Sequence, residues 1–210
     1  MKLSSIVRRC FLSFTLIFST ISSAEIQQLQ QNLFVAGVPS DQFEFFASPS
    51  QNGRQRQANW CWAASVQMVL NYHGLYVAQE QVVQRIYGTQ IDRPANPKQI
   101  VHALSGWAPD NRGRYSSIHA NPYTYSGSQI VQDLANRWPL IVGLSNPNGG
   151  IGHAVVLTGV YYSVDNFNNP IFRRVVIRDP WPGSPSKQEM SWNEFQSRLM
   201  FMTHIYVKRL

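Results

Sequence analysis

The sequence predicts an α+β domain, and three observations predict it. Apolar residues recur at helical period between about residue 60 and residue 138, while β-branched and apolar runs bounded by Pro, Gly and Asn fill the remainder. No linker, charge run, low-complexity tract or internal repeat separates the two parts. Helices first and strands later imply a helical half packed on an antiparallel sheet.

The first 24 residues stand apart from that domain. Lys2, Arg8 and Arg9 make a basic start, and Cys10 to Ile21 is apolar with a few serines. Ser22-Ser23-Ala24 then supplies the small residues that a signal peptidase reads. The run is shorter than the roughly 20 apolar residues of a membrane span. Val7-Arg8-Arg9 ahead of Cys10 is not a lipoprotein pattern. A secretory signal cleaved after Ala24 is expected, giving a secreted or periplasmic protein with no membrane span in the mature chain. Three basic residues and no acidic ones leave with the signal, so 210 residues at +7 become 186 residues at +4. That length suits one domain with a sizeable core. The remaining basic residues are scattered (Arg54/Arg56, Arg112/Arg114, Arg173/Arg174, Lys208/Arg209), which leaves no continuous footprint for nucleic acid.

Residues 25–54 are rich in Gln, Ser, Asn and Phe, with an apolar block at Phe43 to Phe46, and read as an N-terminal arm or strand or a short pro-segment. The single domain then covers residues 55–210. Trp62, Val66, Val69, Leu70 and His73 form a stripe at helical period, with Asn59 as expected N-cap and Gly74 as stop. A second helix is expected over Val77 to Tyr87, ended by Gly88. A third opens at Asn96-Pro97, a cap followed by proline at the first helical position, and runs to about Leu104. Residues 105–127 read as a long loop, and a fourth helix follows Ser128 with Ile130, Val131, Leu134 and Trp138 on one side. The strand runs are Leu140 to Leu144, Ala154 to Tyr162, Arg173 to Arg178 and His204 to Lys208, with a capping box at Ser191-Trp192-Asn193-Glu194 opening a short helix before the last.

Once the signal is removed, Cys61 is the only cysteine. A leftover thiol in an oxidising compartment is either a small buried hydrophobe or a reactive group. Cys61 falls at the start of the best-patterned helix, where the helix dipole favours an anion. His153 opens the first long strand, preceded by Gly149-Gly150-Ile151-Gly152, and Asp179 closes the next, followed by Pro180-Trp181-Pro182-Gly183. The turn-rich cluster Asp165 to Pro170 lies between them. An antiparallel hairpin of residues 154–163 and 172–178 that centres on residue 166 would set His153 directly opposite Asp179. One residue of slip would send the side chains to opposite faces.

Those parts suit nucleophilic catalysis. Thiolate is the reactive form of cysteine, and an imidazolium beside it favours that form. Asp179 would hold the ring of His153 in one tautomer. Gln55, six residues before Cys61, could join the backbone N–H of Cys61 in stabilising an oxyanion.

With these residues the chain resembles the papain-like cysteine peptidases. Gln55…Cys61-Trp62-Ala63-Ala64-Ser65, Gly152-His153-Ala154-Val155-Val156 and Val176-Ile177-Arg178-Asp179-Pro180 stand in that family's order of Gln, Cys, His, then Asn or Asp. The likeness extends over roughly residues 50–195. It is nearest to a compact bacterial branch of bacteriocin-leader peptidases and secreted effector proteases with a Trp-Cys-Trp-Ala-Ala motif. The resemblance implies a helical subdomain carrying the nucleophile, a β subdomain carrying His and Asp, and a cleft between them. It also implies that Cys61 attacks, His153 acts as base and then acid, Asp179 orients it, and Gln55 serves the oxyanion. Three departures accompany it: Asn59-Trp60 replaces the Gly-x-x approach to the cysteine of plant papains, the third member is Asp, and the mature chain can form no internal disulfide.

The expected activity is a thiol peptidase acting on a peptide or protein. A peptidoglycan amidase or a transpeptidase using the same three residues, and a non-catalytic binding module with a papain-like cleft, are the alternatives. No cofactor is expected. His73, His102, His119 and His204 lack metal-ligand spacing and are assigned structural roles, and no Gly-rich phosphate loop lies between a strand and a helix.

Overall fold

A computed structural model describes residues 26–48, 53–122, 126–146 and 152–207 of the chain. The expected signal over residues 1–24, most of the glycine run before His153, and Lys208-Arg209 lie outside the described residues.

The N-terminal part of the described chain forms β1 (Ile26–Gln30), β2 (Leu33–Gly37) and α1 (Ser40–Ala47). Three helices follow, α2 (Cys61–Tyr72), α3 (Gln79–Tyr87) and α4 (Pro97–Leu104). Next come β3 (Ile118–Pro122), α5 (Gly127–Ala135), β4 (Leu140–Leu144), β5 (His153–Val164), β6 (Pro170–Arg178), β7 (Lys187–Ser191), α6 (Trp192–Arg198) and β8 (Leu199–Val207). One eight-stranded antiparallel sheet runs β1-β2-β5-β4-β8-β3, with β6 on the other side of β5 and β7 beyond it.

Alternation along β4 and β5 gives the sheet two buried faces. Ile141, Ala154 and Val156 join Val66, Val69 and Leu70 of α2 in one core, while Val142, Val155 and Leu157 join Ile130 and Leu134 of α5 and Phe195 of α6 in the other. The expectation of helices against a sheet holds, with α5 and α6 added on the face away from α2. Burial on both faces is why Leu140 to Leu144 is continuously apolar.

Several local expectations are corrected. The N-cap of α2 is Trp60, not Asn59, whose N–H donates to Asp92 Oδ1 at 2.8 Å. Helix α3 starts two residues late, because the Val77 N–H donates to Asn71 Oδ1 and Gln81 Oε1 caps the Ala78 N–H. Helix α5 ends at Ala135, ahead of Trp138, where Arg137 takes a left-handed φ of 62°. The expected loop 105–127 contains β3, an edge strand paired with β8. Ile118 and Ala120 face inward there while His119 is exposed, an alternation too short and too weakly β-branched to stand out, and Pro122 is tolerated at the strand's end. Pairing with β4 draws β8 out to Leu199, well ahead of His204.

The β5–β6 hairpin forms two residues away from the expected register. Val156 pairs with Arg178, and continuing that register puts Asp179 opposite Val155 rather than His153. The cause is the turn. Asp165 Oδ1 accepts the N–H groups of Phe167 and Asn169 at 2.8 Å each, which fixes a loop of residues 165–169 and centres the hairpin one residue later. A bulge at Thr158 on β5 is offset by one at Arg173 on β6. A two-residue offset keeps the face of every side chain, so Asp179 and His153 become diagonal neighbours.

Candidate active site

Cys61 is the first residue of α2, where its backbone N–H has no acceptor within the helix. The flanking tryptophans fix this start. Trp60 Nε1–H donates to the Ile91 carbonyl and Trp62 Nε1–H to the Arg93 carbonyl, both at 2.9 Å. Residues 91–93 therefore clasp the segment around Cys61 through both indoles and through Asp92. On the next turn, the fully buried Ser65 donates its hydroxyl to the Ala154 carbonyl at 3.2 Å, tying α2 to the strand that begins with His153.

The imidazole of His153 lies between two partners. Nε2 is 2.6 Å from Asp179 Oδ1, and the ring also hydrogen-bonds the Cys61 side chain, for which Nδ1 is the nitrogen left over. Burial alone would lower the pKa of His153. The hydrogen bonds to Asp179 and Cys61, with their charges, outweigh it and raise the imidazole to about 9. For Asp179, burial pulls upward, but hydrogen bonds from His153, the Trp181 N–H and Gln188 hold the carboxyl below its ordinary value. Trp181 N–H reaches Oδ1 at 2.8 Å and Gln188 Nε2 reaches Oδ2 at 2.9 Å, so both carboxylate oxygens are fixed.

Gln55 takes a different position from the one its proximity in sequence suggests. It is buried, and Nε2 donates to the carbonyls of Gln57 (2.9 Å) and Ala58 (3.0 Å), which engages both amide hydrogens. Its Oε1 is buried without a hydrogen-bond partner among the described residues. Gln55 lines a shallow hollow beside Trp181 rather than the cleft at the cysteine, and its backbone N–H donates to the Pro180 carbonyl at 2.8 Å.

Reading the sequence missed two supporting residues. Arg54 spans from the helical half to the loop after β6, donating to the carbonyls of Asp179 (2.9 Å), Trp181 (2.6 Å) and Ser184. Gln188 arrives on β7, a strand that the sequence pattern does not mark. Ile177↔Gln188 pairing folds it back against Asp179, and recognising Lys187–Ser191 as a strand after the proline-rich turn would have exposed it.

Cys61, His153 and Asp179 line a cleft of about 570 Å³, together with Asn146, Gln188 and Arg198. Next to it is a smaller apolar pocket of about 220 Å³, walled by Trp62, Pro94, Pro97, Ile100, Met200 and Phe201. Phe201 lies so close over Gly143 that a Cβ there would meet the ring at 2.1 Å, so only glycine fits beneath it. Met200 is the extra residue of a β8 bulge, which brings two consecutive side chains to one pocket. Among the described residues no three His, Cys, Asp or Glu side chains are gathered to hold a metal ion, and no helix is long and apolar enough to cross a membrane.

Residues 45–200 match the family described as papain-like cysteine protease AvrRpt2. Among solved structures, the peptidase domain of Streptococcus ComA, a bifunctional ABC transporter involved in quorum sensing, is 17% identical with a TM-score of 0.49, covering 73% of this chain and 94% of that one. A double-glycine-motif protease from an AMS/PCAT transporter, solved with its leader peptide, is 17% identical with a TM-score of 0.45, covering 89% and 93%. The R161 variant of the Salmonella effector SpvD is 13% identical with a TM-score of 0.34, covering 90% and 86%. No curated protein matches the chain significantly. The family match spans most of the sequence and includes Cys61, His153 and Asp179: the chain belongs to the papain-like cysteine protease AvrRpt2 family and is a papain-like cysteine peptidase.

Proposed function

We propose that the protein is an exported thiol peptidase in which Cys61 forms an acyl-enzyme, His153 moves the proton and Asp179 orients His153. The observation that carries this reading is one imidazole hydrogen-bonded to Asp179 at 2.6 Å and to Cys61, at the wall of an open cleft. The Cys61 thiolate attacks the scissile carbonyl carbon, and the carbonyl electrons move to oxygen. As the C–N bond breaks, His153 gives its proton to the leaving amine, and a thioester remains on Cys61. Water then loses a proton to His153 and attacks the thioester, releasing the acid and restoring the thiolate–imidazolium pair.

The backbone N–H of Cys61 stabilises the oxyanion in both steps. Gln55 joins it by exchanging one of its hydrogen bonds to Gln57 and Ala58 for the oxyanion. Both amide hydrogens are engaged at rest, so the role requires Gln55 to give up one of these carbonyls. The apolar pocket beside Cys61 supports a substrate with an apolar side chain near the scissile bond. Residues 1–24 act as the export signal and residues 55–210 as the catalytic domain, with a secreted or periplasmic site of action.

A panel of unmodified peptides, cell-wall muropeptides and peptides offered with amine acceptors tests the reading. Hydrolysis of unmodified peptides, lost in Cys61→Ala, is expected. Turnover confined to muropeptides, or product that forms only when an amine is supplied, would replace peptidase action by amidase or transpeptidase action.

A further inference from the structure

The group that completes the carboxylate end of this site comes from β7. Asp179 offers two oxygens, and each is held. Oδ1 receives the His153 ring at 2.6 Å and the Trp181 N–H at 2.8 Å, and Oδ2 receives only Gln188 Nε2, at 2.9 Å, among the hydrogen bonds described. The second hydrogen of the same Gln188 amide goes to the Pro185 carbonyl at 3.2 Å. This matters because a carboxylate that meets an imidazole through one oxygen can still turn about its Cβ–Cγ bond. A terminal sp³–sp² torsion is broad and roughly two-fold, and does not fix itself.

We propose that Gln188 is a positioning residue of the active site, which locks the plane of the Asp179 carboxylate and keeps it ionised so that it can orient His153. The proposal rests on the peptidase reading above for its purpose, though not for its geometry. Backbone pairing sets the amide's place, since Gln188 stands opposite Ile177 two residues before Asp179, and the turn at residues 179–186 closes with Asp179 N–H donating to the Ser186 carbonyl at 2.7 Å. Gln188 therefore reaches Oδ2 from a strand built into the sheet, and not from a surface loop. A glutamine suits this task better than a charged residue. Its amide donates to Oδ2 and to a carbonyl together, carries no charge that would compete with His153 for the carboxylate, and titrates nowhere in the working range. The charged and titratable groups around the pair are His153 on β5, Cys61 on α2, Arg198 at the end of α6, and Arg54, whose guanidinium binds the carbonyls of the same turn.

Two substitutions separate positioning from packing. In Gln188→Met the side chain keeps its length and loses its donor. In Gln188→Glu the introduced acid donates to Oδ2 while protonated and repels Asp179 once ionised, since two facing carboxylates cannot both hold a charge at ordinary cost. The readout is the pH profile of Cys61 alkylation by iodoacetamide between pH 4 and 9, followed by mass spectrometry on the Cys61 peptide, which needs no substrate.

For Gln188→Met the acid limit of reactivity moves to higher pH and the rate at neutral pH falls about tenfold, the scale of one hydrogen bond to a charged group. For Gln188→Glu the rate follows the parent at the acid end and falls towards the Gln188→Met level as the introduced acid ionises. Profiles of unchanged shape in both variants, at the parent's rate or uniformly reduced, would overturn the proposal and assign Gln188 to packing. A parent profile that already follows a free thiol and ignores Asp179→Ala would instead overturn the peptidase reading itself, and with it any role for Gln188 in positioning.

Discussion

Glu44 and Arg178 form an ion pair that runs from α1 to the last residue of β6, immediately before Asp179. The Arg178 side chain is buried to 1% exposure, and it also donates to the Ser40 carbonyl at 3.0 Å and the Ser40 hydroxyl at 2.8 Å. Both partners on α1 precede residue 45, where the family match begins. A segment ahead of the family match thus neutralises a buried cation next to Asp179, and Phe43, wholly buried on the same helix, packs near that guanidinium.

Removing one partner of such a pair leaves a charge uncompensated. Glu44→Gln is expected to lower stability by about 1–3 kcal/mol, towards the small end because the Glu44 side chain is 48% exposed. Adding Arg178→Met to that variant should restore part of the loss, since a buried pair replaced by an apolar side chain is often neutral. Urea denaturation of the parent, both single variants and the double variant measures the coupling. Additive effects would show that the pair contributes nothing.

Two histidines shape the pH dependence of stability in opposite directions. His153 is held at about 9 when folded, against an ordinary 6.5, so its contribution is complete below 6.5 and lost as pH rises to about 9. Burial holds His73 at about 4, and its Nε2 has no hydrogen-bond partner among the described residues. Between 6.5 and about 4 the unfolded chain binds a proton there that the folded chain does not, so stability falls on acidification through that window. Urea midpoints at pH 4.5, 6.5 and 8.5 should peak at 6.5. His73→Phe should flatten the acid side and Asp179→Asn the alkaline side.

Arg54 holds the loop after Asp179 by three carbonyls at once. Only a planar fork reaches several acceptors in fixed directions, so Arg54→Lys is not a conservative change. Arg54→Ala is expected to reduce kcat by about 10- to 100-fold through loosening of Asp179, with Arg54→Lys nearer to the alanine variant than to the parent. Steady-state kinetics on a cleaved peptide would check this, and full activity in Arg54→Lys would contradict it.

Much of this architecture was legible in the residues. The helical stripe after Cys61 and the Asn96-Pro97 cap, whose side chain accepts the Gln99 N–H at 3.0 Å, follow from local chemistry alone. So does the Ser191 cap of α6. The approach of His153 to Asp179 also follows from the residues, though its register does not, because the Asx-type bonding of Asp165 and two offsetting bulges are decided in three dimensions. Strands β3 and β7 leave no mark in the sequence for a related reason. Each is five residues long and draws its β conformation from a neighbouring strand, not from its own composition. Arg54 and the buried Arg178 act through contacts 125 to 138 residues distant in sequence, which no local pattern records.

Gln55 is the residue whose expected role differs most from its resting geometry. If its amide reaches the oxyanion during turnover, Gln55→Ala should lower kcat by about 100- to 1,000-fold with little change in KM. If it only braces the turn through Gln57 and Ala58, the loss will appear in thermal stability while kcat stays within a few-fold of the parent.

The coupling of Cys61 to His153 is tested most directly by the rate of Cys61 alkylation at pH 6 in the parent and in His153→Ala. A free thiol titrating near 8.5 is only about 0.3% thiolate at that pH. The parent is expected to react at least tenfold faster than His153→Ala, which should fall to the rate of a free thiol. Equal, free-thiol rates in the two proteins would contradict a thiolate–imidazolium pair at this site.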